Sequence, residues 1–121
     1  MASPYGHTGV TRIIKAIGYS WHGLSAAFKH EEAFRQEVIL AIIMIPLALY
    51  LGENAIERAL MISAVILIMI VELLNTGIEA VTDRVSLEHH ELAKRAKDIG
   101  SAAVMLSFIY TSVVWIFLII N

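Results

Sequence analysis

The chain has 121 residues, contains no cysteine and carries a formal net charge of −2, and 58% of its residues are hydrophobic. This length suits one domain, and the apolar fraction exceeds the norm of roughly half for soluble domains. The lack of cysteine excludes disulfides and thiolate metal sites, and the nearly neutral charge leaves no electrostatic footprint for nucleic acid. We therefore expect a single membrane domain covering residues 1–121.

The N-terminal segment carries an amphipathic pattern. Its apolar residues recur at spacings of three and four, with polar residues between them, and are Val10, Ile13, Ile14, Ile17, Trp21, Leu24 and Phe28. This pattern predicts a helix over about residues 6–29 that lies in the membrane plane, with Tyr19 and Trp21 as interfacial anchors. A helix packed on a soluble partner is the less favoured alternative, because a membrane span follows directly.

Three further apolar stretches each predict a transmembrane helix. We expect an all-α membrane protein with a surface helix followed by three spans, at about residues 32–51, 57–83 and 98–120. The first stretch is short for a hydrocarbon layer of about 30 Å. It becomes long enough if the helix begins near Glu32 and leaves Arg35 and Glu37 at the interface, where long side chains can snorkel.

The basic residues predict how the spans are oriented. The N-terminal segment up to Arg35, at the start of the first span, holds four and the segment between the second and third spans holds four, whereas the first loop holds one and the C-terminal end holds none. Because loops rich in Lys and Arg stay in the cytoplasm, the N-terminus and the second loop are predicted to be cytoplasmic. The C-terminus is then predicted to be outside.

A polar stripe of Glu72, Asn75 and Glu79 interrupts the second span. The two acids are seven residues apart, which places them on one helix face about 20° out of register. A carboxylate in hydrocarbon is costly, so an intramembrane acid is by default a functional hypothesis. Along the helix from the outer end, Glu72 lies at about 20 Å and Glu79 at about 30 Å. The stripe is thus predicted to lead from the inner leaflet to the cytosol.

Other polar residues are expected at the cytoplasmic end of this stripe. Glu31 lies between the surface helix and the first span, and the third span opens with Lys97, Asp98 and Ser101. A carboxylate pair such as Glu31 and Glu79 suits Mg²⁺, which takes one or two protein carboxylates together with phosphate oxygens. With a lysine for phosphate and a deeper acid as base, these are the parts needed for phosphoryl transfer. The chain has no P-loop or protein-kinase motif, so spacing alone leaves a kinase as one option among several.

Four segments carry a resemblance to a known family. They are GYSWHGL (residues 18–24), EAFRQE (32–37), VELLNTGIEAVTDR (71–84) and KRAKDIGSAA (94–103). In order and spacing they resemble the prokaryotic integral-membrane diacylglycerol kinases over nearly the whole chain. The resemblance implies a homotrimer in the bacterial inner membrane, with active sites shared between neighbouring chains. It also implies transfer of the γ-phosphate of MgATP to the hydroxyl of diacylglycerol, which gives phosphatidic acid.

The resemblance also implies roles for individual residues. Glu72 corresponds to the general base, with Asn75 beside it as a second catalytic residue, and Glu31 and Glu79 correspond to the Mg²⁺ ligands. The implied ATP site comprises Arg12, Tyr19, Glu31, Glu79, Glu88, His90, Lys97 and Asp98. The implied lipid site comprises Arg12, Ser20, Trp21, Arg35, Glu72 and Ser101. The second loop departs from the family pattern at His89 and Lys94.

Several alternatives stay open at this point. An undecaprenol kinase shares the glutamate and asparagine block, and a small proton-coupled transporter also uses a membrane glutamate. A transporter needs its acid near the midplane with access from both sides, whereas this stripe leads to one side. For single residues, Asn75 is expected to position Glu72 or to bond across helices, and Asp83 and Arg84 form a helix-end ion pair or act in function.

Overall fold

The computed structural model describes residues 8–85 and 91–121, and their regular structure is entirely helical. The four helices are α1 (Gly9–His30), α2 (Glu32–Leu51), α3 (Ala55–Val85) and α4 (Glu91–Ile120). Helices α2, α3 and α4 are each long and apolar enough to cross a membrane. The predicted all-α architecture with three candidate spans is therefore confirmed.

Helix α4 begins well before its apolar segment. Its first residues, 91–98, are mostly polar and continue the helix by about two turns ahead of residue 98. Lys94 and Asp98 form an ion pair there at 2.7 Å, with the i,i+4 spacing that supports a helix. Lys97, in this extension, lies alongside the C-terminal end of α3, where it contacts Asp83.

A one-residue break at Glu31 separates α1 from α2. Glu31 has extended backbone angles, φ −113° and ψ 110°, and its N–H donates to the carbonyl of Ala27 at 2.8 Å. Arg35 reaches back from α2, and its Nη1 donates to the carbonyls of Phe28 at 2.8 Å and Lys29 at 3.0 Å. Because the last carbonyls of a helix lack partners within it, this guanidinium caps α1 and fixes Glu31 at the junction.

Side chains of the loop between α2 and α3 cap the N-terminal end of α3. Asn54 Oδ1 accepts the N–H of Glu57 at 2.9 Å, and Glu57 Oε1 accepts the N–H of Glu53 at 3.1 Å. The first bond satisfies an N–H donor in the first turn of α3, and the second fixes the residue just before the N-cap. Arg58 Nε donates to the carbonyl of Leu49 at 3.1 Å, which ties α3 to the end of α2.

The apolar core lies where α2, α3 and α4 meet. Its buried residues are Ala41, Ala48, Met61, Val65 and Trp115. Trp115 Nε1 donates to the carbonyl of Met61 at 3.1 Å, and Thr111 Oγ1 donates to the carbonyl of Ala64 at 3.1 Å. Since rising numbers on α3 meet falling numbers on α4, the two helices are antiparallel, and these bonds fix their register.

Much of the apolar surface of the chain is exposed. On α1 the exposed residues include Ile17 and Trp21, and on the long helices they include Ile42, Leu74 and Phe117. Contiguous apolar surface of this extent is covered in a working protein by lipid or by another chain.

Candidate functional site

A buried carboxyl pair lies at the centre of the candidate site. Glu72 of α3 is 6% exposed and Glu37 of α2 is 7% exposed, and their carboxyl groups are close enough to interact directly. The expectation that the Glu37 side chain snorkels outward is wrong, because that side chain is buried within the protein. Glu37 shares the buried face of α2 with Phe34 and Ala41, at helical spacing, and that face packs against α3.

Four charged side chains interact with Glu79, which lies about two turns after Glu72 towards the C-terminal end of α3. They are close enough to Glu79 for electrostatic interaction, and are Glu31, Glu72, Asp83 and Lys97. The structure therefore brings together both acids of the stripe, the acid of the α1–α2 junction and the lysine of α4. This is the convergence that the sequence predicted for these residues.

Asp83 has a different partner from the one considered for it. Lys97 Nζ donates to Asp83 Oδ1 at 2.5 Å, so Asp83 bonds across to α4 and not to the adjacent Arg84. Neighbouring residues on a helix diverge by about 100°, which turns Arg84 away from Asp83. Both partners are partly exposed, and the pair holds the Lys97 ammonium beside Glu79.

Buried oxygens without hydrogen-bond partners collect around this site. Within the described residues, the buried side-chain atoms that lack a partner are Glu37 Oε1, Asn75 Oδ1 and Thr76 Oγ1. Buried polar groups in proteins are nearly always hydrogen-bonded, so each exception calls for an explanation. A cluster of three next to one buried acid indicates a place where groups from outside the chain supply the missing bonds.

Two grooves that differ in character are lined by residues near Glu37 and Glu72 in the helices, although neither acid lines them itself. One, of about 820 Å³, is almost entirely apolar, and its lining includes Trp21, Phe34 and Met69. The other, of about 700 Å³, is more polar, and its lining includes Ser20, His30, Glu31 and Thr76. Met69 precedes Glu72 by about one turn and Thr76 follows it by about one turn. The pair therefore lies between an apolar groove and a polar one.

The remaining expected site residues are distributed as follows. Arg12 and Tyr19 lie on α1 and are exposed. Ser20 and Trp21 line the two grooves, one each. Arg35 caps α1 through its guanidinium, as described above.

On α4, Asp98 pairs with Lys94, and Ser101 is exposed. Glu88 and His90, which were expected in the ATP site, and the neighbouring His89 lie outside the described residues.

The side chains at the expected metal site are of the kind that binds Mg²⁺. Glu31 and Glu79 lie within electrostatic range of each other and supply carboxylate oxygens, the donors that Mg²⁺ prefers. No group of three or more His, Asp or Glu side chains that could hold a metal occurs within residues 8–85 and 91–121. Mg²⁺ does not require one, because it commonly binds one or two carboxylates and completes its shell with water and substrate phosphates. The two acids fit such a metal.

The comparisons with known proteins agree on one family. The sequence pattern of the prokaryotic diacylglycerol kinases matches residues 18–119. The diacylglycerol kinase of Escherichia coli K12 is 54% identical over 112 residues, which cover 93% of this chain and 92% of that protein. The chain belongs to the prokaryotic diacylglycerol kinase family.

Two further diacylglycerol kinases are similarly close. That of Pseudomonas aeruginosa is 53% identical over 114 residues, covering 93% of each chain. That of Haemophilus influenzae is 51% identical over 111 residues, covering 92% of this chain and 94% of that protein. Together with the three long apolar helices, membership of the diacylglycerol kinase family makes this chain a membrane protein.

Sequence reasoning about this diacylglycerol kinase family member missed Glu37 as part of the site. The signal was present in the spacing of Phe34, Glu37 and Ala41, which puts the acid on the most buried face of α2. The low overall amphipathicity of a membrane span concealed that face, because lipid-facing and buried positions are both apolar.

Proposed function

We propose that the chain is an ATP:diacylglycerol phosphotransferase, which transfers the γ-phosphate of ATP to the hydroxyl of diacylglycerol and forms phosphatidic acid. The observation that carries the proposal is the buried pair of Glu37 and Glu72, set between an apolar groove and a charged cluster. Family membership, and relatives named diacylglycerol kinase over nearly their full length, support this substrate and this reaction.

Glu72 is proposed as the general base. The lipid hydroxyl oxygen forms a bond to the γ-phosphorus, the bond from that phosphorus to the β,γ-bridging oxygen breaks, and ADP leaves. The hydroxyl proton passes to the Glu72 carboxylate as the new bond forms. Glu72 suits this role because it lies one turn from the apolar groove through Met69, where a lipid hydroxyl can approach. Glu37 interacts directly with the Glu72 carboxyl and is proposed to orient it.

Glu31 and Glu79 are proposed to hold Mg²⁺ together with the ATP phosphates. When bound, this ion supplies positive charge that offsets the charge developing on the transferring phosphoryl group. Lys97, which Asp83 orients, contributes a second positive charge beside Glu79. Through such an ion, Glu79 and Glu31 would hold the nucleotide phosphates at the cytoplasmic end of the stripe.

The other substrate contacts are proposed from family membership. We assign the nucleotide side to Arg12, Tyr19, Glu88, His90, Lys97 and Asp98. We assign the lipid side to Arg12, Ser20, Trp21, Arg35, Glu72 and Ser101. The apolar groove beside Trp21 supports a lipid chain there, and the groove with Ser20 and Glu31 supports a polar ligand.

For the intact protein we propose a homotrimer in the bacterial inner membrane, with active sites shared between chains. In it α1 lies in the membrane plane, the N-terminus is cytoplasmic and the C-terminus is outside. The exposed apolar residues of α1 and the uneven distribution of basic residues support this placement. The exposed apolar surface of the long helices supports further chains packing there.

The rival functions differ in their products. An undecaprenol kinase would phosphorylate a polyprenol, and a proton-coupled transporter would phosphorylate nothing. The decisive experiment incubates the purified protein in micelles with MgATP and either diacylglycerol or undecaprenol, and measures lipid phosphate by phosphorus NMR. We expect phosphatidic acid and little undecaprenyl phosphate. If only undecaprenyl phosphate formed, the protein would be an undecaprenol kinase. If neither alcohol were phosphorylated, the proposed kinase activity would be refuted.

A further inference from the structure

The side chain of Asn75 occupies the space that a side chain at position 100 would need. Gly100 is buried on α4, and a Cβ built on it would meet Asn75 Oδ1 in severe overlap and would lie 3.2 Å from Asn75 Cγ. Nothing in the backbone of Gly100 requires glycine, because its φ lies in the ordinary helical range. A side chain at position 100 would therefore displace the Asn75 carboxamide from its present position.

The other glycines within the described helices have no such neighbour, and outside the helices only the loop residue Gly52 among the described glycines is similarly crowded. A Cβ at Gly18 or Gly77 would meet nothing within 4 Å. Glycine in a helix interior costs roughly 0.5–1 kcal/mol relative to alanine, so a glycine on α4 needs a compensating reason. The reason at Gly100 is the accommodation of one particular side chain between two helices.

The space beside Gly100 explains how the Asn75 carboxamide is held although its buried oxygen has no hydrogen-bond partner among the described residues. Its Oδ1 is buried without a hydrogen-bond partner in the described part of the chain, so no bond to that oxygen fixes the carboxamide. The surface of Gly100 fixes it by shape. Asn75 lies between Glu72 and Glu79 on α3, so a shift of the carboxamide changes the surroundings of both acids.

We propose that Gly100 is a positioning residue, which seats the Asn75 carboxamide between the base and the metal-binding acid of the active site. The proposal deepens the function proposed above and rests on it for its catalytic consequence. Gly100 itself touches no reacting atom. Because Gly100 has no side chain, α3 and α4 can pack with the Asn75 carboxamide between them.

A double-mutant cycle tests the steric part. Gly100→Ala should lower the thermal midpoint of the protein in micelles, because the new methyl group overlaps the carboxamide. Asn75→Ala/Gly100→Ala should unfold at the midpoint of Asn75→Ala, since the two Cβ atoms would lie 3.9 Å apart, an ordinary contact. Gly18→Ala is the matched control and should keep or raise the midpoint. A Gly100→Ala loss that persists in the Asn75→Ala background would overturn the proposal.

Kinetics test the catalytic part. In Gly100→Ala, kcat should fall by about 10²-fold, as expected for a misplacement near 1 Å, while KM for ATP changes little. In the Asn75→Ala background the same substitution should cause no further loss. Gly18→Ala should keep wild-type kcat. An unchanged kcat in Gly100→Ala, or an equal additional loss in the double variant, would refute a role that acts through Asn75.

The side-chain amide spectrum separates this proposal from the proposed function. The chain has three asparagines and one glutamine, so its carboxamide signals are few. Gly100→Ala should shift the Asn75 signal in a ¹⁵N spectrum and leave those of Asn54 and Asn121 in place, and an unmoved Asn75 signal would overturn the seating. Wild-type protein that forms no phosphatidic acid would refute the kinase, while this spectrum would still decide the seating.

Discussion

The two halves of the bundle formed by α2, α3 and α4 treat their buried polar groups in opposite ways. In the first, the Trp115 half, Trp115 and Thr111 donate across to carbonyls of α3 at 3.1 Å each. In the second, the Glu72 half, Glu37, Asn75 and Thr76 each bury an oxygen without a partner. Both halves are built from the same apolar helices, so composition does not account for the difference.

The difference separates a half in which polar groups stabilise the helix packing from a half in which they are available to a ligand. A buried polar group without a bond costs about 1–3 kcal/mol, and a bundle that only had to pack would remove such groups. The Trp115 half does so and fixes the helix register. The Glu72 half keeps these groups and gathers charged residues around them, as expected where substrates complete the bonding.

The largest effect should come from Glu79. Glu79→Gln removes one of two proposed metal ligands and should lower turnover by about 10²–10³-fold, as loss of a group that stabilises transition-state charge does elsewhere. Initial rates measured against Mg²⁺ concentration should show part of the loss recovered at high Mg²⁺. Its thermal midpoint should stay near wild type. A variant with wild-type rates at every Mg²⁺ concentration would remove Glu79 from the site.

Substitution of Glu37, in the same Glu72 half, should lower turnover less than substitution of Glu79. Glu37→Gln keeps the size of the side chain but not its acid function, and should lower kcat by about tenfold, the scale for groups that orient a functional side chain. Stability should be unchanged or increased, because a neutral amide beside Glu72 is cheaper to bury than a second carboxyl group. Loss of stability with full activity would show that Glu37 serves packing only.

In the Trp115 half the expected loss is one of stability. Trp115→Phe removes the bond to the Met61 carbonyl and should lower the free energy of unfolding by about 1 kcal/mol, the size of interhelical bonds in membranes. Unfolding in mixed detergent micelles measures it. The kcat of the folded fraction should remain that of wild type. A large drop in kcat at unchanged stability would contradict the division between the two halves.

The smallest effect is expected at the Asp83–Lys97 pair. Because both side chains are partly exposed, the pair is worth roughly 0–1 kcal/mol. Asp83→Asn should therefore raise KM for ATP by no more than about fivefold and leave kcat in place. Titration with a fluorescent ATP analogue checks the affinity. An effect of several hundredfold would show that Asp83 itself binds the metal or the nucleotide.

The sequence predicted the helical spacing and the placement of the charged residues, but it did not predict which helix faces are in contact. The stripe of Glu72 and Glu79 and its convergence with Glu31 and Lys97 follow from helical spacing and from the order of the spans. The burial of Glu37 did not follow, because a span that is apolar all round does not reveal which face meets protein. The seating of Asn75 on Gly100 was also not predictable, since it depends on the distance between two helices.

The most direct test of the two-half account compares Glu72→Gln with Trp115→Phe in one preparation, measuring lipid phosphorylation, nucleotide binding and thermal midpoint together. We predict that Glu72→Gln loses turnover by about 10²-fold or more, while it binds MgATP and unfolds as wild type does. Trp115→Phe should show the converse, with normal turnover and a lowered midpoint. If Glu72→Gln phosphorylates diacylglycerol at the wild-type rate, or loses nucleotide binding and turnover equally, Glu72 is not the base and the account is wrong.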